Sequence, residues 1–159
     1  MELPLFEQVG ELTRTLVDVS HVDAMPGPVR VRSHRRGVKM WFGGDTPERL
    51  HFEAQLLPDR LAPVVPGEGE VAVEVGFHAE LKDAARNQEV LDTLAAAEKT
   101  WRAALGPEAE LGPFIGRDGW GRLSETWIET DLEDPDVAFE LASRLADYVN
   151  TIGPLVLAR

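Results

Sequence analysis

Two short motifs carry residue types suited to chemistry: His51-Phe52-Glu53 and His78-Ala79-Glu80. Imidazole nitrogen and carboxylate oxygen are donors that a divalent metal such as zinc accepts, and the same pair can act as a general base beside an acid. Both motifs fall in runs of alternating polarity. Leu50, Phe52, Ala54 and Leu56 alternate with His51, Glu53 and Gln55, while Val71, Val73, Val75, Phe77 and Ala79 alternate with Glu74, Gly76, His78 and Glu80. Side chains two apart in a strand share a face, so each His-x-Glu presents both groups on the polar side. If the two strands are neighbours, two imidazoles and two carboxylates converge.

The competing expectation is a sheet face open to water or to a dimer partner, on which His and Glu are ordinary cross-strand residues. The motif is short and no fixed spacing joins its halves, so the sequence favours this second reading. Each of the two strands is then expected to be buried on one side only.

A second constellation is basic. Arg30, Arg32, Arg35, Arg36 and Lys39 follow one another with no acid between them. Arginine offers planar, bidentate donors for a phosphate or an acidic partner, and a solvated hairpin tip is the alternative. Trp41 follows the alternation of Lys39, which places it on the polar face as a candidate contact for a ligand or partner. Trp101 and Trp127 are expected in the core.

Other signatures fail. Gly43-Gly44 and Gly67-Glu68-Gly69 lack the strand-to-helix context and the Lys-Ser/Thr ending of a phosphate loop. Ser124 has no nucleophile elbow around it. Glu129, Asp131, Glu133, Asp134 and Asp136 lack calcium-loop spacing and its central glycine.

The elements that must position these residues can be read along the chain. Leu5, Val9, Leu12, Leu16 and Val19 predict an amphipathic helix over 2–19. Val29 to Phe42 reads as a hairpin with His34-Arg35-Arg36-Gly37 at its tip and Gly37 free to take positive φ. The two His-x-Glu strands follow, separated by a Pro/Gly-rich loop over 58–69. Val90, Leu91, Leu94, Trp101 and Leu105 mark a helix stopped by Gly106-Pro107. A second hairpin, Leu111–Ile115 and Trp120–Glu129, flanks Gly116-Arg117-Asp118-Gly119. The last helix starts with Asp134 as N-cap and Pro135 at its first position, carries Val137, Leu141, Leu145, Tyr148, Val149 and Ile152 on one face, and stops at Gly153-Pro154.

The expected fold is a single α+β domain over 1–159: an antiparallel sheet of about five to six strands, packed on one face by three helices, in the order α-β-β-β-β-α-β-β-α. That order is similar to the element order of small acidic secretion-chaperone-like α/β proteins, although an extra strand precedes the central helix. The likeness is carried by no residue motif. It implies a dimer that holds other polypeptides and performs no chemistry.

Bulk composition narrows the partners. The 159 residues are 43% hydrophobic and 28% charged, as in an ordinary globular chain, and the net charge of −12 argues against nucleic acid. No cysteine is present, no apolar run is long enough for a membrane span, and the opening Met-Glu-Leu-Pro-Leu-Phe-Glu has no basic n-region, so a cytoplasmic protein without a membrane partner is expected. The leading functional expectation is a non-enzymatic interaction domain with a protein partner, as a homodimer and without a cofactor. The alternative is a metal-dependent enzyme, a hydrolase for example, in which His51, Glu53, His78 and Glu80 hold a divalent ion such as zinc. A third reading makes the polar face the mouth of a small-molecule pocket.

Overall fold

A computed structural model describes residues 3–18, 24–114 and 116–158. Its centre is a six-stranded antiparallel sheet: β1 (Val29–His34), β2 (Gly37–Phe42), β3 (Leu50–Leu56), β4 (Val71–Ala79), β5 (Glu110–Pro113) and β6 (Gly121–Thr130). The strands lie in the order β1-β2-β3-β4-β6-β5, so the two His-x-Glu strands are central neighbours. Four α-helices, α1 (Leu5–Leu16), α2 (Ala84–Ala96), α3 (Glu98–Leu105) and α4 (Val137–Val156), and a 3-10 turn over Asp59–Leu61 complete the described elements. Among the described residues no helix is long and apolar enough to cross a membrane.

The alternation read from the sequence builds the core. Val38 and Met40 of β2, Phe52 and Ala54 of β3, Val73, Val75, Phe77 and Ala79 of β4 and Leu123 of β6 join Leu94, Trp101, Leu105, Leu141, Leu145, Tyr148 and Ile152 of the helices in one buried cluster. Burial of a side chain of this size contributes about 1.5–3 kcal/mol relative to exposure, which anchors the helices to this face.

Several expectations need correction. The helix predicted over 2–19 spans Leu5–Leu16, and its outer ends, Glu2 and Val19, lie outside the described residues. Its buried face is Phe6, Val9, Gly10 and Thr13, while Leu16 is exposed. Gly10 causes the rotation: a Cβ there would meet Val31 Cγ1 at 2.7 Å, so the bare backbone is what lets α1 lie on β1 and β2. The central helix is two, because the chain turns at Ala97 (φ −101°, ψ 13°) and the Trp101 indole N–H donates to the Leu94 carbonyl at 2.7 Å.

Gly37 is a strand residue. His34 and Gly37 still pair, so only Arg35 and Arg36 form the tip, and a Cβ on Gly37 would meet the Ala54 carbonyl oxygen at 2.8 Å. Pro154 does not stop α4. It lies in the last turn, where its missing N–H removes one helical bond, and the Leu157 amide still bonds Gly153 at 2.9 Å. The Asp134 carboxylate accepts from the Asp136 amide at 2.9 Å, so it closes the turn ahead of the helix, and the N-cap position falls to Asp136.

The largest departure concerns the polar face of the sheet. It was expected to be open on one side of β3 and β4, yet residues 51–54 and 72–80 are buried throughout. Connecting segments cover it. The Trp41 indole N–H reaches the Gly44 carbonyl at 2.8 Å under residues 43–48, and Phe114, in the β5–β6 connection, packs its ring on His78.

Candidate metal centre

Antiparallel pairing of β3 with β4 sets His51 directly opposite His78, with Glu53 opposite Gly76. Each His-x-Glu therefore runs away from the His pair in the opposite direction, and the two carboxylates flank the two imidazoles. Glu80 follows the last residue of β4 and is kept in line by its amide, which bonds the Arg49 carbonyl at 2.8 Å.

The four groups meet. His51 Nε2 is 3.2 Å from Glu53 Oε1 and 3.6 Å from Glu80 Oε2; His78 Nδ1 is 3.3 Å from Glu53 Oε1 and 3.1 Å from Glu80 Oε2. One donor atom from each residue lies within 4.8 Å of all the others. The four nitrogen–oxygen separations around the ring His51–Glu53–His78–Glu80 are thus 3.1–3.6 Å. Donors roughly 2.0–2.2 Å from a zinc ion lie about 3.3–3.6 Å apart in a tetrahedron, so these four separations are compatible with one four-coordinate divalent ion.

The outward nitrogens are already engaged. His51 Nδ1 lies 2.9 Å from the Glu48 carbonyl, which can only accept, so this nitrogen carries the proton. His78 Nε2 lies 3.0 Å from Glu74 Oε1. Burial alone would raise the Glu74 carboxyl, but the charge of His78 and hydrogen bonds from His78, Ser124 and Gln55 outweigh it and hold the group down to about 2. Glu74 is therefore an ionised acceptor, and His78 Nε2 is a donor. In both rings the inward nitrogen, Nε2 of His51 and Nδ1 of His78, faces the carboxylates; Nδ1 of His78 donates a proton to them, and a bound metal would take that proton's place. Metal-ligating histidines show this arrangement, in which the far N–H is fixed by a carbonyl or carboxylate.

The electrostatics favour a cation. Burial works against a charge on His78, yet the Glu74 charge and hydrogen bonds to Glu53, Glu74 and Glu80 raise its imidazole well above the usual range. Burial likewise opposes ionisation of Glu53, and hydrogen bonds from His51 and His78 overcome it to hold the carboxyl well below the usual range. Three buried carboxylates, Glu53, Glu74 and Glu80, attract positive charge into this pocket of the sheet. Glu74 is itself braced by Gln55 at 2.8 Å and by Ser124 Oγ at 2.7 Å, and Arg122 donates to Ser124 Oγ at 2.9 Å.

All four candidate ligands are shut in: His51 is 1%, Glu53 5%, His78 0% and Glu80 8% exposed. Phe114 sits edge-on to His78, with ring centroids 5.0 Å apart, and Trp120 backs Phe114 at 6.0 Å.

The basic run lies along the β1–β2 hairpin, with Arg32 opposite Lys39 and Arg30 opposite Trp41. Arg30 donates to the Gly43 carbonyl and pairs with Asp45 at 3.3 Å, and Arg32 donates to the Asp45 carbonyl. Lys39 is half-buried opposite Glu53 in the β2–β3 register. Arg35 and Arg36 are exposed at the tip. Trp41 lies on the polar face as expected, but at 2% exposure it is a buried residue and cannot be an exposed contact. Trp101 is fully buried and Trp127 packs against the core.

Glu74 is the residue bonded to this cluster that the motif reading passed over. It shares the alternation with His78 and Glu80, so its face was legible, but its role depends on the second strand beside it. Glu125 was unexpected on the core side of β6. There it accepts from Trp127 Nε1, Tyr148 Oη and Arg144 Nε, three donors that make a buried carboxylate tolerable.

Comparison with protein-family models, curated proteins and solved structures found no match to this chain.

Proposed function

We propose that this chain is a metal-binding domain that holds one divalent cation, zinc by donor chemistry, between His51 Nε2, His78 Nδ1, Glu53 and Glu80. The observation that carries the reading is the convergence of four donors within 4.8 Å of one another while both far imidazole nitrogens are engaged by Glu48 and Glu74. Imidazole and carboxylate together suit zinc, with manganese, iron and nickel as competitors.

The cation has a structural use. Catalytic zinc keeps an open position for water or substrate, whereas structural zinc is closed by four protein ligands. Four ligands at or below 8% exposure, with Phe114 packed on one of them, support the closed form over the hydrolase. The reading takes the divalent metal of the sequence alternative without its hydrolase activity.

A thermal melt after chelation and dialysis, repeated with zinc chloride, tests the reading. A ligand bound only by the native state adds about 2.7 kcal/mol at a hundredfold excess over Kd, several degrees for a chain of this size. The wild type is expected to gain this shift and a His51→Ala/His78→Ala variant to lose it. A wild type that melts at one temperature with zinc, manganese, iron and nickel alike would overturn it.

A further inference from the structure

Beside the covered sheet face lies a cleft of about 360 Å³, at the end of the sheet where the β1–β2 tip, the β3–β4 connection and the β5–β6 turn meet. Its charged lining is Arg36, Arg60 and Arg117, with His34 beside them, and no aspartate or glutamate contributes. In a chain of net charge −12 this is a local inversion. Four arginines elsewhere lie beside carboxylates: Arg30 by Asp45, Arg102 by Glu98, Arg122 by Glu110 and Arg144 by Glu125.

The cleft arginines are available. All three are exposed, and among the described residues neither Arg36 nor Arg60 has a carboxylate within ion-pair distance of its side chain. The Arg117 guanidinium lies 4.2 Å from the centroid of the Trp120 ring, which fixes its plane while leaving its N–H donors free. His34 Nδ1 accepts from the Arg36 amide at 3.2 Å, so the proton of a neutral imidazole sits on Nε2, a further donor.

The remaining wall is apolar. Leu57, Leu61, Phe114 and Trp120 line it, and the Gln55 amide at its floor is engaged by Glu74. Guanidinium groups recognise phosphate by paired charge-assisted hydrogen bonds, and an aromatic wall takes a flat organic group. The volume is within the range for small-molecule sites.

We propose that this cleft binds a small phosphate monoester, its phosphoryl group held by Arg36, Arg60 and Arg117 and its planar organic group against Phe114 and Trp120. The site does not depend on the metal centre and is testable whether or not that centre holds zinc.

Isothermal titration of the full chain with phenyl phosphate, inorganic phosphate and phenol decides it. The expected order is phenyl phosphate tightest, inorganic phosphate weaker and phenol without binding. Arg36→Gln/Arg60→Gln is expected to weaken phenyl phosphate by about tenfold or more, because each arginine supplies hydrogen bonds between charged groups. Arg86→Gln, an exposed arginine outside the cleft, is expected to leave it within about twofold, which separates the site from general screening. Phenyl phosphate that fails to bind at millimolar concentration, or binds the double variant as well as the wild type, would overturn the proposal.

Discussion

His51 and His78 face each other across β3 and β4 with ring centroids 5.5 Å apart, and each is tied on its outer side, His51 to the Glu48 carbonyl and His78 to the Glu74 carboxylate. The outer bonds set which nitrogen of each ring looks inward. Without them each ring would be free to rotate, and the inward nitrogens would lose their aim at Glu53 and Glu80. The arrangement makes Glu74 a positioning residue for the proposed metal, although it is not one of the four ligands.

Glu74→Gln keeps all four proposed ligands and removes the charge that orients His78. Loss of such a partner costs roughly 10- to 100-fold in metal affinity. A competition titration against a chromophoric zinc chelator should show this loss, with coordination retained. Equal affinity in the variant would remove Glu74 from the centre.

Gly76 sits between Glu74 and His78 on β4, and a Cβ there would meet the Leu123 carbonyl oxygen and Ser124 Cα, both at 2.5 Å. Its φ of +156° also disfavours a side chain. Gly76→Ala forces β4 from β6, and overpacking of this kind costs about 1–3 kcal/mol. Gly44→Ala, where a Cβ meets nothing within 4 Å, serves as the control and should change stability by less than about 0.5 kcal/mol. Chemical denaturation of both variants checks the contrast.

Tyr148 is the chain's single tyrosine, so phenolate absorbance reads it alone. Burial, then the Glu125 charge and the hydrogen bond to Glu125, raise its hydroxyl above the ordinary value, with Arg144 and Arg122 opposing. A group kept protonated in the fold but ionised when unfolded, above about pH 10, costs the fold stability as pH rises through that value. Below it the group contributes no slope. Wild type is therefore expected to lose stability more steeply above pH 10 than Tyr148→Phe, and its phenolate signal should appear only as the protein unfolds. Ordinary titration of the folded chain near pH 10 would contradict this. At neutral pH the variant should be about 1–3 kcal/mol less stable, since it loses a buried hydrogen bond to a charged group.

Period-two alternation carried most of what the sequence told about the centre. It put His51 with Glu53 and His78 with Glu80 on one face, and sheet adjacency of β3 and β4 did the rest. The cover over that face was not legible, because residues 43–48, 114 and 116–120 have no periodicity, and their placement follows from contacts such as Trp41 with Gly44 and Phe114 with His78. Polarity was therefore misread as exposure, for Trp41 as for the four ligands. The core was read more faithfully, since apolar spacing in α4 and β4 corresponds to buried positions. Exceptions arose where one residue outweighed the pattern: Gly10 turned α1, and the Trp101 indole capped a break at Ala97.

The most direct test of the metal centre is the metal content of the purified chain, measured by inductively coupled plasma mass spectrometry after loading with zinc and gel filtration. Wild type should retain about one zinc per chain; His51→Ala/His78→Ala should retain almost none, and Glu80→Gln, which alters the most exposed ligand, should retain it weakly. Circular dichroism of the variants confirms that they remain folded. A folded wild type that keeps no zinc, or folded variants that keep as much as the wild type, would contradict the assignment of these four residues to a metal.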